Sequence, residues 1–135
     1  MLFRCEDDQL IGLRKGMSRG DVRAFMSEEP FSFVKSKFSL SPTDAYCAKT
    51  VHVYFDDKDI VRGVEIFRPN ELTYNGLPVL GERATAVLGS AFSLHEVSKE
   101  YGVGYVISPG TVSLYVPDVD DNVDAIVEAV YVKLL

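Results

Sequence analysis

One strand phrase occurs twice in this chain, and that repetition limits what it can fold into. Residues 50–56 read TVHVYFD and residues 111–118 read TVSLYVPD. Each phrase is followed by an acidic turn and a second apolar run, IVRGVEIF at 60–67 and IVEAVYVKL at 126–134. Each is preceded by a helix candidate, GMSRGDVRAFM from Gly16 and GERATAVLGSA from Gly81. The pattern predicts a tandem of one helix-plus-antiparallel-hairpin unit, with repeat one at about 10–68 and repeat two at about 76–135. A lone hairpin is at best marginally stable in water, so the two copies are expected to share a single α+β domain over residues 1–135.

The local signals are uneven. Ser18 is a good N-cap with Asp21 three residues on, a shortened capping box, and Met17 and Val22 are spaced as a hydrophobic staple. Val22, Phe25 and Met26 are then expected on one helix face, with Pro30 ending the element. A short helix or turn is expected over Asp8–Leu13, and residues 31–40, FSFVKSKFSL, read as an edge strand guarded by Lys35 and Lys37. SPTDAYCAKT, at 41–50, reads as a loop.

The first hairpin puts Val51, Val53 and Phe55 on its core side and His52 and Tyr54 on the other, with Val64 and Ile66 opposed to Glu65 and Phe67 on the return strand. Residues 69–80 read as a connector containing the turn dipeptide Asn75-Gly76. A second helix is expected from Glu82 through Leu88 and a short one over Leu94–Glu100. A strand is expected at Tyr101–Ser108, and Val112, Leu114 and Val116 match the first strand phrase in phase.

Charge narrows the function. The net charge is −6, and it is unevenly placed: residues 1–68 hold eleven basic and eleven acidic residues, whereas residues 69–135 hold three basic and nine acidic. Such a chain repels nucleic acid phosphates and is steered toward a basic partner. No apolar run approaches the ~20 residues of a membrane span, and the first ten residues, MLFRCEDDQL, place acids where a signal peptide needs an apolar stretch. A cytoplasmic location is therefore expected. Cys5 and Cys47 are expected to be reduced, and with His52 and His95 they make no recognised metal spacing.

The acidic turn Asp118, Asp120, Asp121, Asn122 and Asp124 is the one candidate cation loop, but its sixth and twelfth positions are Val123 and Ala129, where an EF-hand needs Gly and Glu. A solvated turn is the better reading, and no metal or cofactor is expected. A Cys47/His52 nucleophile pair lacks an orienting partner, so no catalytic residue is assigned and no enzymatic activity is expected.

What remains is the sheet face away from the core. Its in-phase positions are His52, Tyr54, Glu65 and Phe67 in one copy and Ser113, Tyr115, Tyr131 and Lys133 in the other. Aromatics of this kind anchor protein interfaces. Tyr54, Glu65, Phe67, Tyr115 and Tyr131, with Asp118, Asp120, Asp121 and Asp124 for steering, are the candidate partner-binding residues. The alternative is that this face packs against another layer of the same molecule.

Lys15-Gly16-Met17-Ser18 followed by Asp21-Val22 resembles the helix start of the β-lactamase inhibitor protein and of a small lipoprotein of the outer-membrane assembly machinery. The second copy carries Arg83 where the cap serine would stand. The inhibitor protein is also a tandem of helix-plus-sheet modules and binds its target through its exposed sheet face. The chain is also similar in profile to small acidic bacterial immunity proteins. Together these resemblances imply a non-catalytic protein that forms a one-to-one complex with a basic toxin domain. The alternative function is a structural or regulatory domain that forms a homodimer through strand edges or the aromatic face.

Overall fold

In a computed structural model, which describes residues 1–37 and 41–135, the chain opens with a hairpin, β1 (Leu2–Glu6) and β2 (Gln9–Leu10). Helix α1 (Arg19–Met26) follows, then strands β3 (Phe31–Phe33), β4 (Thr43–Tyr46), β5 (Val51–Phe55) and β6 (Val61–Phe67). A second hairpin, β7 (Glu71–Tyr74) and β8 (Leu77–Pro78), leads to helix α2 (Ala84–Gly89) and to β9 (Val97–Glu100), β10 (Gly104–Ile107), β11 (Val112–Tyr115) and β12 (Ala129–Lys133). The described residues thus form a strand-rich α+β fold with two sheets.

The large sheet runs β3-β4-β5-β6-β12-β11-β10-β9, antiparallel throughout. The four strands after each helix lie side by side in chain order, and the two sets meet where β6 pairs with β12. In that seam Val64 faces Val132, Glu65 faces Tyr131 and Ile66 faces Val130. The start of each helix is tied to the sheet in the same way. Arg19 N–H donates to Asp59 O and Val61 N–H to Met17 O, both at 2.9 Å. Ala84 N–H donates to Ala125 O and Val127 N–H to Glu82 O, again at 2.9 Å.

Neither hairpin outside the large sheet was expected as a hairpin, although a turn was one of the two readings for Asp8–Leu13. The stretch at Asp8–Leu13 is no helix: Asp7 and Asp8 both take positive φ and close the β1–β2 turn. The expected connector at 69–80 is β7–β8, turned by Asn75 (φ +48°) and Gly76 (φ +84°). These are the left-handed angles that a two-residue hairpin loop requires. The two hairpins join through a parallel pairing of β1 with β7, from Leu2–Glu71 to Cys5–Tyr74, giving a small sheet ordered β2-β1-β7-β8. Strands of two to five residues show no period long enough to read, and this pairing spans some seventy residues of sequence.

Four further expectations are corrected. The expected loop at 41–50 contains β4, all four of whose residues are buried. Its Asp44 faces the core and is neutralised there, so the strand shows no hydrophobic alternation. The expected helix at Leu94–Glu100 is instead edge strand β9, exposed at three of its four positions. Phe25 does not share the buried face of Val22 and Met26: it is 42% exposed and its ring lies over Gly12, where a Cβ would sit 2.3 Å from it. The expected edge strand in FSFVKSKFSL is real only as β3, and its last three residues lie outside the described residues.

The core lies between the large sheet and everything else. Val22 and Met26 of α1, Ala84 and Val87 of α2, and Phe3, Leu72 and Tyr74 of the small sheet join one buried cluster with Val53, Val64, Val130 and Leu114. The helices and the small sheet therefore cover one face of the large sheet and leave the other open. No helix among the described residues is long and apolar enough to cross a membrane.

Candidate functional site on the outer face of the large sheet

Strand alternation alone decides which side chains reach the open face. Because Val51, Val53, Val64 and Ile66 are buried inward, His52, Tyr54, Glu65 and Phe67 must point out. The register lines Phe31, Ala45, His52, Glu65, Tyr131, Ser113, Val106 and Ser98 in one row across all eight strands. Tyr115 and Phe67 flank Ala129 in the next row.

In the first four strands the rings on this face pack against one another, with Phe31 at the edge still 53% exposed. Ring centroids are 6.0 Å apart for Phe31 and Phe33, 5.5 Å for Phe33 and His52, and 5.0 Å for His52 and Phe67. Tyr54 and Tyr131 continue the ladder across the seam at 6.1 Å. The Tyr54 hydroxyl donates to Glu65 Oε1 at 2.7 Å, and Lys35 Nζ, which donates to both groups, lies 3.3 Å from that oxygen and 4.8 Å from the Tyr54 ring centre. Burial, then the Glu65 carboxylate, pushes the Tyr54 phenol above its ordinary range. Burial pulls His52 down, aided by Lys35 and opposed by Glu65 and by its Nε2–H bond to Lys49 O at 3.0 Å. His52 is thus held neutral, with Nδ1 buried and without a partner among the described residues. Tyr131 lies across Gly63, where a Cβ would come within 2.2 Å of its hydroxyl oxygen, so only glycine allows this ring position.

In the last four strands the same face is open. Tyr115 is 41% and Val103 46% exposed. A pocket of about 130 Å3 opens here, lined among others by Glu65, Glu100, Val103, Ser113, Tyr115 and Tyr131.

Comparison of the chain with protein-family models, with curated proteins and with solved structures finds no match.

Five of the nine candidate partner-binding residues, Tyr54, Glu65, Phe67, Tyr115 and Tyr131, share this face. The acidic turn does not. Val119 packs on the core and shares a cleft with Ala84 and Thr85 of α2, which sets the turn beside that helix. Asp120 pairs with Lys99 at 3.0 Å and accepts from Gly102 N–H at 2.6 Å, while Asp124 pairs with Arg83 at 3.3 Å. Asp118 and Asp121 stand exposed in the same turn. No group of three or more His, Cys, Asp or Glu able to hold a metal occurs among the described residues.

Cys47 and His52 are not joined. Cys47 Sγ sits 3.7 Å from Met1 Sδ, and its backbone N–H donates to Glu28 Oε2 at 2.8 Å. Burial raises its thiol above the ordinary range, as it does for Cys5, pushed up to about 12.

Sequence reasoning missed Phe31, Phe33, Lys35, Val103 and Glu100 as members of this face. The alternation of Phe31-Ser32-Phe33 was the one usable signal. A second polar cluster was also missed. The Tyr74 hydroxyl, buried under the small sheet, bonds Asp8 and lies 3.0 Å from His95 Nε2, while its ring stacks on Phe92 at 4.5 Å. It pins the small sheet to the segment after α2.

Proposed function

We propose that this protein is a non-catalytic binding module built as a tandem of one helix-plus-four-strand unit, and that it holds a protein partner on the outer face of the large sheet. The most concrete form of this reading is an immunity protein that forms a one-to-one complex with a basic toxin domain and blocks its active site. The carrying observation is the face itself. Five of its eight strands present aromatics, several of them half-buried, on the side that both helices and the small sheet leave open.

Several features support a duplicated unit. The two helix entries make matching backbone bonds, at Met17/Arg19 and at Glu82/Ala84. Val51–Ile66 and Val53–Val64 correspond to Val112–Val132 and Leu114–Val130. The seam is symmetric about Glu65 and Tyr131 under that correspondence. A basic partner is supported by the net charge of −6, which raises the encounter rate with cations through the long-range field. The acidic turn beside α2 contributes to that field without lying in the contact.

The test is co-expression with the product of the gene directly upstream, followed by sedimentation of the purified pair. The reading expects rescue of growth and a one-to-one complex. Unrelieved toxicity with two separately sedimenting species contradicts it, and a mass for this chain alone that doubles with concentration points to the homodimer instead.

A further inference from the structure

We infer that the pocket between Tyr115 and Tyr131 receives the guanidinium of a partner arginine. This deepens the binding-face reading and rests on it. The pocket is lined by Tyr115 and Tyr131 together with two acidic residues, Glu65 and Glu100. Glu65 uses only Oε1 for Tyr54 and Lys35; its Oε2 has no partner among the described residues. The Glu100 carboxylate likewise has no hydrogen bond or ion pair among the described residues. Its neighbour Lys99 is committed to Asp120, and Lys133 faces Gly63, on the opposite side of Tyr131 from Ala129 and Tyr115.

Gly104 stands in register between Glu100 and Tyr115 and lets β10 approach β11 closely there. Its φ of +153°, and a Leu114 carbonyl oxygen 1.9 Å from where a Cβ would be, exclude any other residue there. Carboxylate oxygens with no internal partner beside aromatic rings suit a planar, weakly hydrated cation that stacks and donates several hydrogen bonds at once. Lysine offers the charge without the plane. A sheet face whose rings elsewhere pack against one another thus keeps one anionic, aromatic recess open.

The probe is N-acetyl-L-arginine amide, titrated against the full chain with tyrosine ring resonances followed by NMR. The isosteric citrulline amide, which lacks the charge, is the control. Saturable shifts are expected at Tyr115 and Tyr131 with arginine and none with citrulline. Affinity should fall about tenfold in Glu100→Gln, the loss expected for one charge-assisted contact. Glu100 is exposed, so that variant keeps its fold, which its unchanged amide spectrum verifies. Glu65→Gln should weaken binding in the same direction. Equal shifts with citrulline, no saturable shift, or undiminished affinity when Glu65→Gln and Glu100→Gln are combined overturns the inference. A partner complex that forms normally with Glu100→Gln overturns it too while leaving the binding-face reading intact; failure to form any complex with wild type removes that reading instead.

Discussion

The two sets of four strands share a layout but differ in how firmly they are locked. In the first set, Asp44 of β4 is fully buried and meets Arg19 at 2.9 Å and Arg23 at 3.0 Å, both from α1, and the Ser32 hydroxyl at 2.7 Å. Arg19 also reaches Asp59 at 3.0 Å and stacks on Phe55 at 4.1 Å. Helix α1 has a complete capping box between Ser18 and Asp21. In the second set, the six-residue α2 starts at Arg83 with no side-chain cap, and the ion pairs Arg83–Asp124 and Lys99–Asp120 are solvent-exposed. The outer face differs as well, with a ladder of packed rings in one set and a pocket in the other. Among the described residues, only the first set of four strands carries a buried clamp of this kind.

The largest expected effect tests whether the halves share one core. Val53 and Leu114 are both essentially without exposure. Val53→Asp and Leu114→Asp should each abolish the whole fold, since an unpaired buried carboxylate costs several kcal/mol, comparable with the stability of a small domain. Circular dichroism would show total loss for both. Survival of half the signal in either variant would mean that the halves fold separately.

Next comes the clamp. Asp44→Ala leaves Arg19, 13% exposed, without its main partner, and should cost about 3 kcal/mol, the low end for a broken buried pair because Arg23 is 44% exposed. Asp120→Ala breaks an exposed ion pair and the exposed bond from Gly102 N–H, and should lower the urea midpoint far less than Asp44→Ala does. Similar losses for the two variants would erase the asymmetry.

The caps give a reciprocal pair. Ser18→Ala should destabilise by about 1 kcal/mol. The double change Arg83→Ser with Ala86→Asp would build the missing box at an exposed helix start, and should stabilise by up to about 1 kcal/mol. A neutral result for the second would show that α2 is limited by its length.

The smallest effect concerns pH. Folding lowers the His52 pKa, so the folded state binds fewer protons at this site than the unfolded chain does near its ordinary value of about 6.5. The stability tied to neutral His52 is therefore fully present above about pH 6.5 and declines as pH falls toward the lowered folded value. Urea midpoints at pH 7.5 and 5.5 should fall more for wild type than for His52→Gln; equal declines would assign the pH response to other groups.

Much of the large sheet was legible. Val51-His52-Val53-Tyr54-Phe55 alternates cleanly, because every inward residue is apolar and every outward one is large and polar or aromatic. The Ser18 cap was legible because its chemistry is local, with donor and acceptor three residues apart. Strand β4 was not, since one of its two fully buried residues is an aspartate whose neutralising arginines lie 21 and 25 residues away. The small sheet was illegible for the same physical reason: β1 gains its meaning only from β7, far along the chain. At the candidate site, the tyrosines could be read from phase. The placement of the acidic turn could not, because Val119 inside it is the residue that anchors it to the core.

Native-state hydrogen exchange, resolved by strand, tests the division between the two halves most directly. The backbone amides of β4 and β5 should exchange only through global unfolding, with the same denaturant dependence as the urea transition. Those of β9 and β10 should exchange through an opening of clearly lower free energy. Equal opening free energies in the two sets, or earlier opening of β4, would contradict the account.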